Sequence, residues 1–341
     1  MKKNLVIISN EKFYTRDGSF YCDNIAEKTL PNGLEKKFSI EIIARKTKID
    51  RSHGLKTKNI SLFKFLPFYL IKIFKKINEK NSKFLILSIS PYTFFATLLF
   101  IFSKQKPIIY LRSDGHQEYR SILGFCGPII FSAMFKLVSI IGIFLSCKKY
   151  ILKDKKGFLV SPSELNNAWI TSENQILLDN IKLLYVGRVK VEKGIFSLLK
   201  IIKNSQEKIS LSIVGATEKS LKQINQENIN IYKIENNEAN LIKYYDHHHI
   251  FILPSFTEGH PMVLLEALAR LRPVIIFPEI SHVIEDKKGI FVASRNTKSL
   301  FNTVHYIKNN YENIQREMKT NKLPTQDEFI KNMSKLIENI E

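Results

Sequence analysis

The chain has 341 residues, of which 44% are apolar and 25% are charged. This composition excludes an intrinsically disordered protein and is sufficient for two domains with packed cores. The 52 lysines and arginines exceed the 32 aspartates and glutamates by 20. The first 170 residues hold 29 of the basic residues against 12 acidic ones (+17), and the remaining residues hold 23 against 20 (+3). We therefore expect the N-terminal half to meet an anionic surface.

The sequence contains no recognisable secretory or metal-binding framework. The cysteines Cys22, Cys126 and Cys147 have neither a pairing pattern nor metal-ligand spacing, which favours a reducing cytoplasm. Only four apolar residues precede Ser9, too few for a signal peptide, so this segment is interpreted as a buried strand. The consecutive histidines 247–249 do not converge on one ion from a helix or a strand. No metal requirement is predicted.

Short apolar segments in the first half alternate with segments long enough for crossover helices. This alternation predicts an α/β domain with a mostly parallel sheet covered on both faces. The predicted strands are Leu5–Ser9, Phe38–Ala44, Phe84–Ile89, Pro107–Leu111 and Gly157–Ser161. The loop after the first strand contains Asp17-Gly18-Ser19, a turn that could approach a ligand.

A basic and aromatic segment, Leu62 to Lys80, predicts a helix that starts near Pro67. Apolar residues dominate one side of this helix, and lysines gather toward the other side. These lysines are Lys72, Lys75, Lys76 and Lys80. Two interpretations stay open: a domain helix with a solvated lysine face, or a helix in the interface of an anionic bilayer, with its aromatic residues in the lipid.

Two further apolar stretches raise the question of a membrane span. Pro91–Ser103 is too short to span a bilayer. Pro128–Cys147 has nearly the required length, but Lys136 lies near its middle, where burial in lipid is costly. A core or interfacial helix is preferred to a transmembrane one, and peripheral membrane attachment is the prediction.

Polar residues crowd the end of the strand at Pro107–Leu111. The segment Tyr110 to Arg120 includes Asp114 and His116. Loops at the carboxyl ends of parallel strands form the ligand crevice of α/β enzymes. Asp114 and His116 are therefore candidate site residues, and the sequence does not choose between them.

A polar linker is predicted through Asn166 to Asn174, and a second domain follows. This domain opens with the strand Lys182-Leu-Leu-Tyr-Val, which runs into Gly187-Arg188. Lys193-Gly194 then precedes a helix. Taken alone, this motif would be interpreted as a loop with two solvated basic residues, Arg188 and Lys193.

The most informative stretch is Phe251 to Arg270. The apolar run Ile250–Leu253 at its start predicts a buried strand, and a loop and a helix follow. Pro261 suits the first helical position. Glu258 lies in the loop and Glu266 in the second helical turn, with seven residues between them. Each carboxylate can accept paired hydrogen bonds from neighbouring donor groups.

These two motifs, in this order, resemble the donor site of the retaining glycosyltransferases of family 4, which have the GT-B fold. The resemblance implies that Glu258 contacts the transferred sugar and that Glu266 holds the ribose hydroxyls of the nucleotide. It implies that Arg188 and Lys193 bind the diphosphate. The implied donor-binding residues are Gly187, Arg188, Lys193, Glu258, Gly259, His260, Pro261, Met262 and Glu266.

The resemblance also assigns roles in the first domain. Asp114 or His116 would project into the cleft and, with Glu258, form the catalytic group. The family has a glycine-rich loop after its first strand, for which Gly18 is the available glycine. The implied fold is α/β, with two Rossmann-like, doubly wound domains facing across a cleft. The expected domains are residues 1–170 for the acceptor and 171–325 for the donor, with a terminal helix, 326–341, crossing back to the first.

The resemblance implies a metal-independent hexosyltransferase-type enzyme that uses a nucleotide diphosphate sugar as substrate and no cofactor. The acceptor would be a lipid-linked glycan or a lipopolysaccharide or cell-surface polysaccharide. The expected location is the inner face of the cytoplasmic membrane, on an anionic surface, with no nucleic acid partner.

Two other functions stay open. A nucleotide-sugar epimerase or hydrolase of the same fold would act on the donor alone and would not need a basic, apolar first domain. A non-enzymatic basic protein that binds anionic lipid or nucleic acid is the other alternative. The dispersed lysines and the lack of an aromatic-basic recognition motif argue against it.

Overall fold

The computed structural model describes residues 2–79, 81–170, 178, 180–203, 205, 209–217 and 228–340. The chain divides into two compact units, which we call the first unit (residues 1–164 and 326–341) and the second unit (165–325). Each unit has its own sheet. Part of the predicted linker, residues 171–174 with Ser172 and Asn174, lies outside the described residues. Leu165 and Trp169 are buried in the core of the second unit.

The first unit is built on a mostly parallel sheet. Its strands are β1 (Lys3–Arg16), β2 (Ser19–Cys22), β3 (Phe38–Lys46), β4 (His53–Gly54), β5 (Ile60–Phe63), β6 (Ser82–Leu87), β7 (Ile108–Leu111), β8 (Ile143–Ser146) and β9 (Gly157–Leu159). The parallel part runs in the order β5-β3-β1-β6-β7-β8-β9. The chain thus builds the sheet outward on both sides of β1, which is the doubly wound arrangement that the sequence predicts.

The first strand is longer than predicted because its second half pairs with β2 in an antiparallel hairpin. The two-residue loop has positive φ at Asp17 (50°) and at Gly18 (72°), as a type I′ hairpin turn requires. A Cβ atom on Gly18 would meet no atom within 4 Å. Gly18 is therefore explained by the backbone conformation of the turn. Steric contact with a neighbour does not require a glycine at this position.

Helices cover both faces of this sheet. They are α1 (Ala26–Leu34), α2 (Leu66–Ile77), α3 (Pro91–Leu98), α4 (Gly115–Leu123), α5 (Gly127–Ile141) and the C-terminal helix (Gln326–Asn339). Leu5 and Ile7 of β1 share a core with α1 and the C-terminal helix. Val6 and Ile8 share another core with α2, α3 and α5. Because successive strand residues point to opposite faces, these helices form two separate layers.

The apolar stretch Pro128–Cys147 is not one helix, which corrects the prediction. Helix α5 ends at Ile141, and residues 143–146 form strand β8. Gly142 separates the two elements, and a Cβ atom there would lie 2.3 Å from Cδ1 of Ile109. The close packing of the turn against β7 thus requires a glycine. Apolar composition without a clear period concealed the change from helix to strand.

Among the described residues, one helical run, Gly115–Ile141, is long and apolar enough to cross a membrane by length and composition. It is not straight, because Gly124 has a φ of 61° and divides it into α4, of 9 residues, and α5, of 15. At 1.5 Å per residue these helices are about 14 and 22 Å long. Both are shorter than the roughly 30 Å of a bilayer core.

The layer formed by α2, α3, α4 and α5 exposes an apolar outer surface, which we call the apolar layer. Between residues 65 and 140, fourteen large apolar side chains are exposed: Phe65, Phe68, Ile71, Phe74, Phe95, Ile101, Phe102, Ile122, Leu123, Phe125, Ile129, Ile130, Leu137 and Ile140. Phe102, in the 3₁₀ turn after α3, is 92% exposed, and Phe125, between α4 and α5, is 84% exposed. In contrast, the exposed residues of the C-terminal helix are polar.

The lysines of α2 are not all solvated. Nζ of Lys72 lies 3.0 Å from one carboxylate oxygen of Glu41, and Nζ of Lys76 lies 2.8 Å from the other. The interpretation of a solvated lysine face is therefore wrong for Lys72 and Lys76, because both are paired with the carboxylate of Glu41 on β3. Lys75 is exposed, and Lys80 lies outside the described residues.

The second unit is a six-stranded parallel sheet with helices. Its strands are β10 (Lys182–Val186), β11 (Ser210–Ala216), β12 (Ile229–Lys233), β13 (Ile250–Leu253), β14 (Val274–Ile276) and β15 (Ile290–Val292). Its described helices are α6 (Ile195–Lys203), α7 (Glu238–Asp246), α8 (Met262–Ala269), α9 (Thr297–Asn309) and α10 (Tyr311–Met318). The order β12-β11-β10-β13-β14-β15 is that of a Rossmann sheet. The prediction of two parallel-sheet α/β domains is confirmed.

Candidate functional site

The strand order of the second unit reverses between β10 and β13, which are adjacent. In an open parallel sheet the connections on either side of such a point leave in opposite directions, and the crevice between them is where ligands bind. The loops that follow β10 and β13 contain the two motifs singled out from the sequence. The fold therefore brings residues 187–194 and 254–261 to the same edge of the sheet.

The charged groups of these two loops are in direct contact. Lys193 donates a hydrogen bond from Nζ to Oε1 of Glu258 over 2.6 Å. Ser255, which is fully buried, donates from Oγ to the same oxygen over 2.6 Å. Because both donors use Oε1, the carboxylate is held in one orientation and keeps further acceptor positions on Oε2. Sequence reasoning placed these residues in one site but did not anticipate the ion pair.

The backbones of the two loops also meet. The amide of Phe256 donates to the carbonyl oxygen of Glu192 over 3.0 Å. Gly194 has a φ of 68°, and a Cβ atom there would lie 1.8 Å from the carbonyl oxygen of Pro254. Only glycine combines this conformation with this approach. Lys193 is thus placed against Glu258 by the packing of one loop on the other.

Arg295, which follows β15, holds the Glu258 loop and was missed from the sequence. Its Nη2 donates to the carbonyl oxygens of Pro254 (2.7 Å) and Ser255 (3.1 Å). Its guanidinium lies over the rings of Phe256 and Phe277, 4.0 and 4.4 Å from their centroids. The available signal was its position after a strand end, on the same edge of the sheet as the motifs.

Two further residues complete the support of Glu258 and of Arg295. Nε2 of His282 lies 2.8 Å from the carbonyl oxygen of Glu258, a geometry in which the imidazole donates. Glu279 accepts from Nε of Arg295 over 2.6 Å. Burial tends to raise the pKa of Glu279, but Arg295 outweighs burial and lowers it. The Glu258 loop is therefore fixed through both its side chains and its backbone.

Glu266 projects from α8 toward a buried tyrosine. Tyr245 of α7 donates from its hydroxyl to Oε2 of Glu266 over 2.8 Å. Tyr245 has no exposed surface, and burial followed by the charge of Glu266 raises the pKa of its phenol. The phenol is therefore a protonated donor at any physiological pH. No sequence signal marked this tyrosine, because α7 and α8 meet only in the folded unit.

The remaining predicted donor residues lie in the same two loops. Arg188 is exposed, and its carbonyl oxygen accepts from the buried hydroxyl of Tyr185 over 2.9 Å. Gly187 leaves β10 with a φ of 153°. Gly259 and His260 are partly buried and lead into the helix. The helix begins at Met262, one residue later than predicted, and buried Pro261 is its N-cap.

In the first unit, Asp114 and His116 lie at the start of α4, directly after β7. Asp114 is buried, and its Oδ1 accepts from the amide of His116 over 2.9 Å, which caps the helix. Nδ1 of His116 lies 3.4 Å from the same oxygen. Burial lowers the pKa of His116, and Lys153 lowers it further, while Asp114 raises it. His116 is therefore a neutral imidazole at pH 7.

A second charged cluster lies at the same sheet edge and was missed from the sequence. Glu27 is 1% exposed, and its Oε1 lies 3.1 Å from Nη2 of Arg112. Burial raises the pKa of Glu11, and the charge of Glu27 raises it further, against the effect of Arg112. Glu11 lies within β1, Glu27 lies in α1, and Arg112 directly follows β7. Only the topology brings them together.

The described residues contain no group of three or more His, Cys, Asp or Glu side chains that could hold a metal ion. Of the three histidines 247–249, His248 is buried, with its Nδ1 2.5 Å from the carbonyl oxygen of Tyr244. Nδ1 of His249 accepts from the amide of Lys182. Both side chains thus have structural partners.

Two Rossmann-like units with ligand-type loops at a strand-order reversal define the class, a GT-B glycosyltransferase fold. Solved structures are similar to this fold over nearly the whole chain. A sucrose-phosphate synthase from Thermosynechococcus elongatus has a TM-score of 0.70 at 14% identity, with 99% of this chain and 98% of that chain covered. The lipopolysaccharide outer core galactosyltransferase WaaB has a TM-score of 0.67 at 14% identity, with 98% and 99% covered.

Comparisons of the amino-acid sequence also find similarity to glycosyltransferases. Residues 180–310 match the family model described as glycosyl transferases group 1. The capsular polysaccharide biosynthesis glycosyltransferase CapM of Staphylococcus aureus is 26% identical over 275 residues, which are 71% of this chain and 71% of CapM. The second unit therefore carries a glycosyl transferases group 1 domain, and the matched residues include Lys193, Glu258 and Glu266. The protein is a glycosyltransferase by class.

Proposed function

We propose that the protein is a retaining, family 4 glycosyltransferase that moves a hexose-type sugar from a nucleotide diphosphate sugar to a cell-surface glycan acceptor. The observation that carries this proposal is the contact between Lys193 and Glu258 at the strand-order reversal of a glycosyl transferases group 1 domain. The alignment with a capsular polysaccharide glycosyltransferase supports the choice of acceptor class. We further propose that the acceptor is lipid-linked.

The second unit would bind the donor. The ammonium of Lys193 and the exposed guanidinium of Arg188 would neutralise the diphosphate and the charge that develops on it as the sugar leaves. Glu258 would accept hydrogen bonds from sugar hydroxyls, with Lys193 and Ser255 fixing its orientation. Glu266 would hold the ribose. Because two cations supply the positive charge, we propose that the reaction needs no metal ion.

Of the two candidates in the first unit, we propose that His116 acts on the acceptor. Asp114 is buried and occupied as a helix cap, whereas His116 is partly exposed. A neutral imidazole can accept a hydrogen bond or a proton from the attacking hydroxyl. Asp114 would orient the imidazole through its contact with Nδ1.

Donor binding tests the assignment of the second unit. The purified protein would be heated with UDP, GDP, ADP and their sugar conjugates in the presence of a chelator. We expect one nucleotide family to raise the melting temperature by mass action, and Arg188→Ala and Glu266→Ala to abolish the effect in folded protein. Lys308→Ala, on the surface of α9, is the control. A wild-type protein that none of the nucleotides stabilises would refute the proposal.

We propose that the apolar layer holds the protein on the cytoplasmic face of an anionic membrane. The layer presents mainly Phe and Ile, as interfacial helices do. Exposed basic residues accompany them: Lys64, Lys75, Lys104, Lys106, Arg120 and Lys136. None of these six forms an ion pair within the described part of the chain. They are therefore available to lipid headgroups, each worth about 1 kcal/mol near an anionic surface.

The layer favours a lipid-linked acceptor over a soluble one. Helix α4 carries His116 near its start and the exposed side chains of Ile122 and Leu123 at its end. Nine residues span about 14 Å, so the candidate acceptor residues lie within a short helix of the proposed lipid surface. A lipid-anchored head group of a few sugar or phosphate units could reach them. An epimerase or hydrolase acting on the donor alone would need no such layer.

Vesicle binding tests the membrane proposal separately from the donor site. We expect wild-type protein to sediment with vesicles of phosphatidylcholine and phosphatidylglycerol, and Phe102→Ser with Phe125→Ser to weaken this binding about tenfold or more. Ile49→Ser with Tyr306→Ser removes two exposed apolar residues outside the layer and should have little effect. Equal binding by both double variants would refute the proposal, while donor binding would be untouched by either.

A further inference from the structure

We infer that Tyr245 is a positioning residue for the donor ribose, because its buried hydroxyl fixes the carboxylate of Glu266. The inference rests on the proposed function, in which Glu266 binds the two ribose hydroxyls. It assigns a role to a residue outside both motifs. The bond from Tyr245 to Oε2 of Glu266 is 2.8 Å long and joins a neutral donor to a charged acceptor, a combination stronger than a neutral pair.

Tyr245 has little freedom to move away from Glu266. Its ring packs edge-on against Trp169 and tilted against Phe251, with centroids 5.5 and 5.6 Å away. Its backbone carbonyl accepts from Nε of buried Arg272 over 2.9 Å. Both the ring and the backbone are thus anchored in the core, and the hydroxyl is presented to α8 from a fixed point.

The tyrosine hydroxyl fixes the orientation of the Glu266 carboxylate. A carboxylate has about four acceptor positions, and Tyr245 occupies one of those on Oε2. In the proposed function, the same carboxylate also accepts hydrogen bonds from the two adjacent ribose hydroxyls. Without the tyrosine hydroxyl, the carboxylate keeps its charge but gains rotational freedom, so part of the binding free energy must then be spent on ordering it. Loss of the hydroxyl should therefore weaken recognition of the diol more than recognition of the diphosphate.

The test compares ribonucleotides with 2′-deoxyribonucleotides. The dissociation constant of the wild-type protein would be measured for UDP, GDP and ADP and for dUDP, dGDP and dADP. We expect the preferred ribonucleotide to bind about tenfold more tightly than its deoxy form, because the deoxy form leaves a carboxylate oxygen unpaired. Tyr245→Phe should reduce this ratio to about threefold or less, since it removes only the positioning hydroxyl.

Tyr311→Phe is the matched control. Tyr311 is also buried, accepts from Nη1 of Arg272 and donates to the carbonyl oxygen of His249, so its phenol belongs to the same core network but donates to the backbone instead of to Glu266. Tyr311→Phe should lower the free energy of unfolding and leave the ratio of ribonucleotide to deoxyribonucleotide affinity unchanged. Glu266→Asp, which shortens the carboxylate out of reach of Tyr245, should lower the ratio even if Tyr245→Phe does not fold.

Each result has a distinct meaning. A reduced ratio in Tyr245→Phe with an unchanged ratio in Tyr311→Phe supports the inference. An unchanged ratio in Tyr245→Phe, or an equal reduction in both tyrosine variants, overturns it and leaves the proposed function intact. A wild-type protein that binds nucleotides without preferring ribose also overturns it. A wild-type protein that binds none of the six nucleotides overturns both.

Discussion

The two units collect charged groups at their sheet edges in different ways. In the second unit, Lys193, Ser255 and Glu258 lie in two loops that flank one strand-order reversal, and their contacts are made by neighbouring motif residues. In the first unit, Glu27 and Arg112 come from α1 and from the end of β7, 85 positions apart. A site built from compact motifs can be recognised in a sequence, whereas a site assembled by topology becomes visible only in the fold.

Their outer surfaces differ as well. The first unit exposes the apolar layer on one side and polar helices on the other. The exposed large apolar residues described in the second unit are scattered along the chain, as is normal for a soluble surface. We interpret the second unit as specialised for a soluble, anionic donor and the first for an acceptor at a lipid surface. The following predictions test that division of labour.

The largest expected effect is the difference in stability loss between a substitution in the donor loop, at Gly194, and one in the hairpin, at Gly18. Gly194 and Gly18 both have positive φ (68° and 72°), but only Gly194 would place a Cβ atom against a backbone oxygen. Gly18→Ala should cost about 1 kcal/mol of stability, and Gly194→Ala about 3 kcal/mol or more, because the clash adds to the strain. Urea unfolding measures both. Equal losses would show that the loop at Gly194 is not tightly packed against the loop at Pro254.

A second prediction decides between the acceptor-side candidates. His116→Asn should slow release of the nucleoside diphosphate from a donor sugar about 100-fold, the usual contribution of a general base, without lowering the melting temperature. Asp114→Ser retains a hydroxyl that can cap α4 but removes the carboxylate. We expect it to fold normally and to lose less activity. If Asp114→Ser were the more damaging change, Asp114 would be the acting group.

Local features of the fold could be predicted from the sequence, whereas features that depend on distant residues could not. The strand Ile250–Leu253 agrees with the structure residue for residue, because a short apolar run between a helix and Pro254 has few alternatives. The position of Glu258 near Lys193 followed from motif order. The hairpin strand β2 and the change from α5 to β8 were missed, since each depends on pairing with residues distant in sequence.

The supporting residues of the site were also beyond prediction. Arg295 and Tyr245 lie 37 and 13 positions from Glu258 in opposite directions, and nothing in their local sequence distinguishes them from other buried or strand-following residues. Their importance comes from what they contact: two carbonyl oxygens in one case and Glu266 in the other. The residues that we propose to touch a ligand were named from sequence motifs, and the residues that hold them in place became visible in the fold.

A third prediction gives the second unit a pH dependence of its own. Burial, and then the neighbouring charges of Lys182, His249 and His247, lower the pKa of His248 to about 4, against the effect of its bond to Tyr244. The unfolded chain therefore takes up a proton first, near pH 6.5. The contribution of His248 to the free energy of unfolding is therefore fully present above that pH and is lost as the pH falls toward 4. The loss is about 2 kcal/mol at pH 5.

His248→Gln removes this titration. The variant should be less stable than the wild type at pH 7, because the buried imidazole donates to the carbonyl oxygen of Tyr244, but it should lose less stability between pH 7 and pH 5. Unfolding midpoints measured at both pH values test this. Parallel losses in variant and wild type would mean that other groups govern the acid side.

The smallest expected effect isolates the electrostatic part of membrane binding. Lys75 and Lys136 are exposed on the apolar layer, and Lys331 and Lys335 are exposed on the C-terminal helix of the opposite layer. Reversing either pair to glutamate changes the net charge equally. Because charges act over a Debye length of about 10 Å at 0.1 M salt, only the pair that faces the bilayer should matter.

We therefore expect Lys75→Glu with Lys136→Glu to weaken binding to anionic vesicles about tenfold or more at 0.1 M salt, since each lysine near the surface contributes about 1 kcal/mol. Lys331→Glu with Lys335→Glu should weaken it less than about twofold, because screening removes the distant charges. Binding to vesicles of phosphatidylcholine alone should be insensitive to both changes. If the two pairs had the same effect, net charge rather than a defined face would drive the association, and the contrast between the two helix layers would lose its functional meaning.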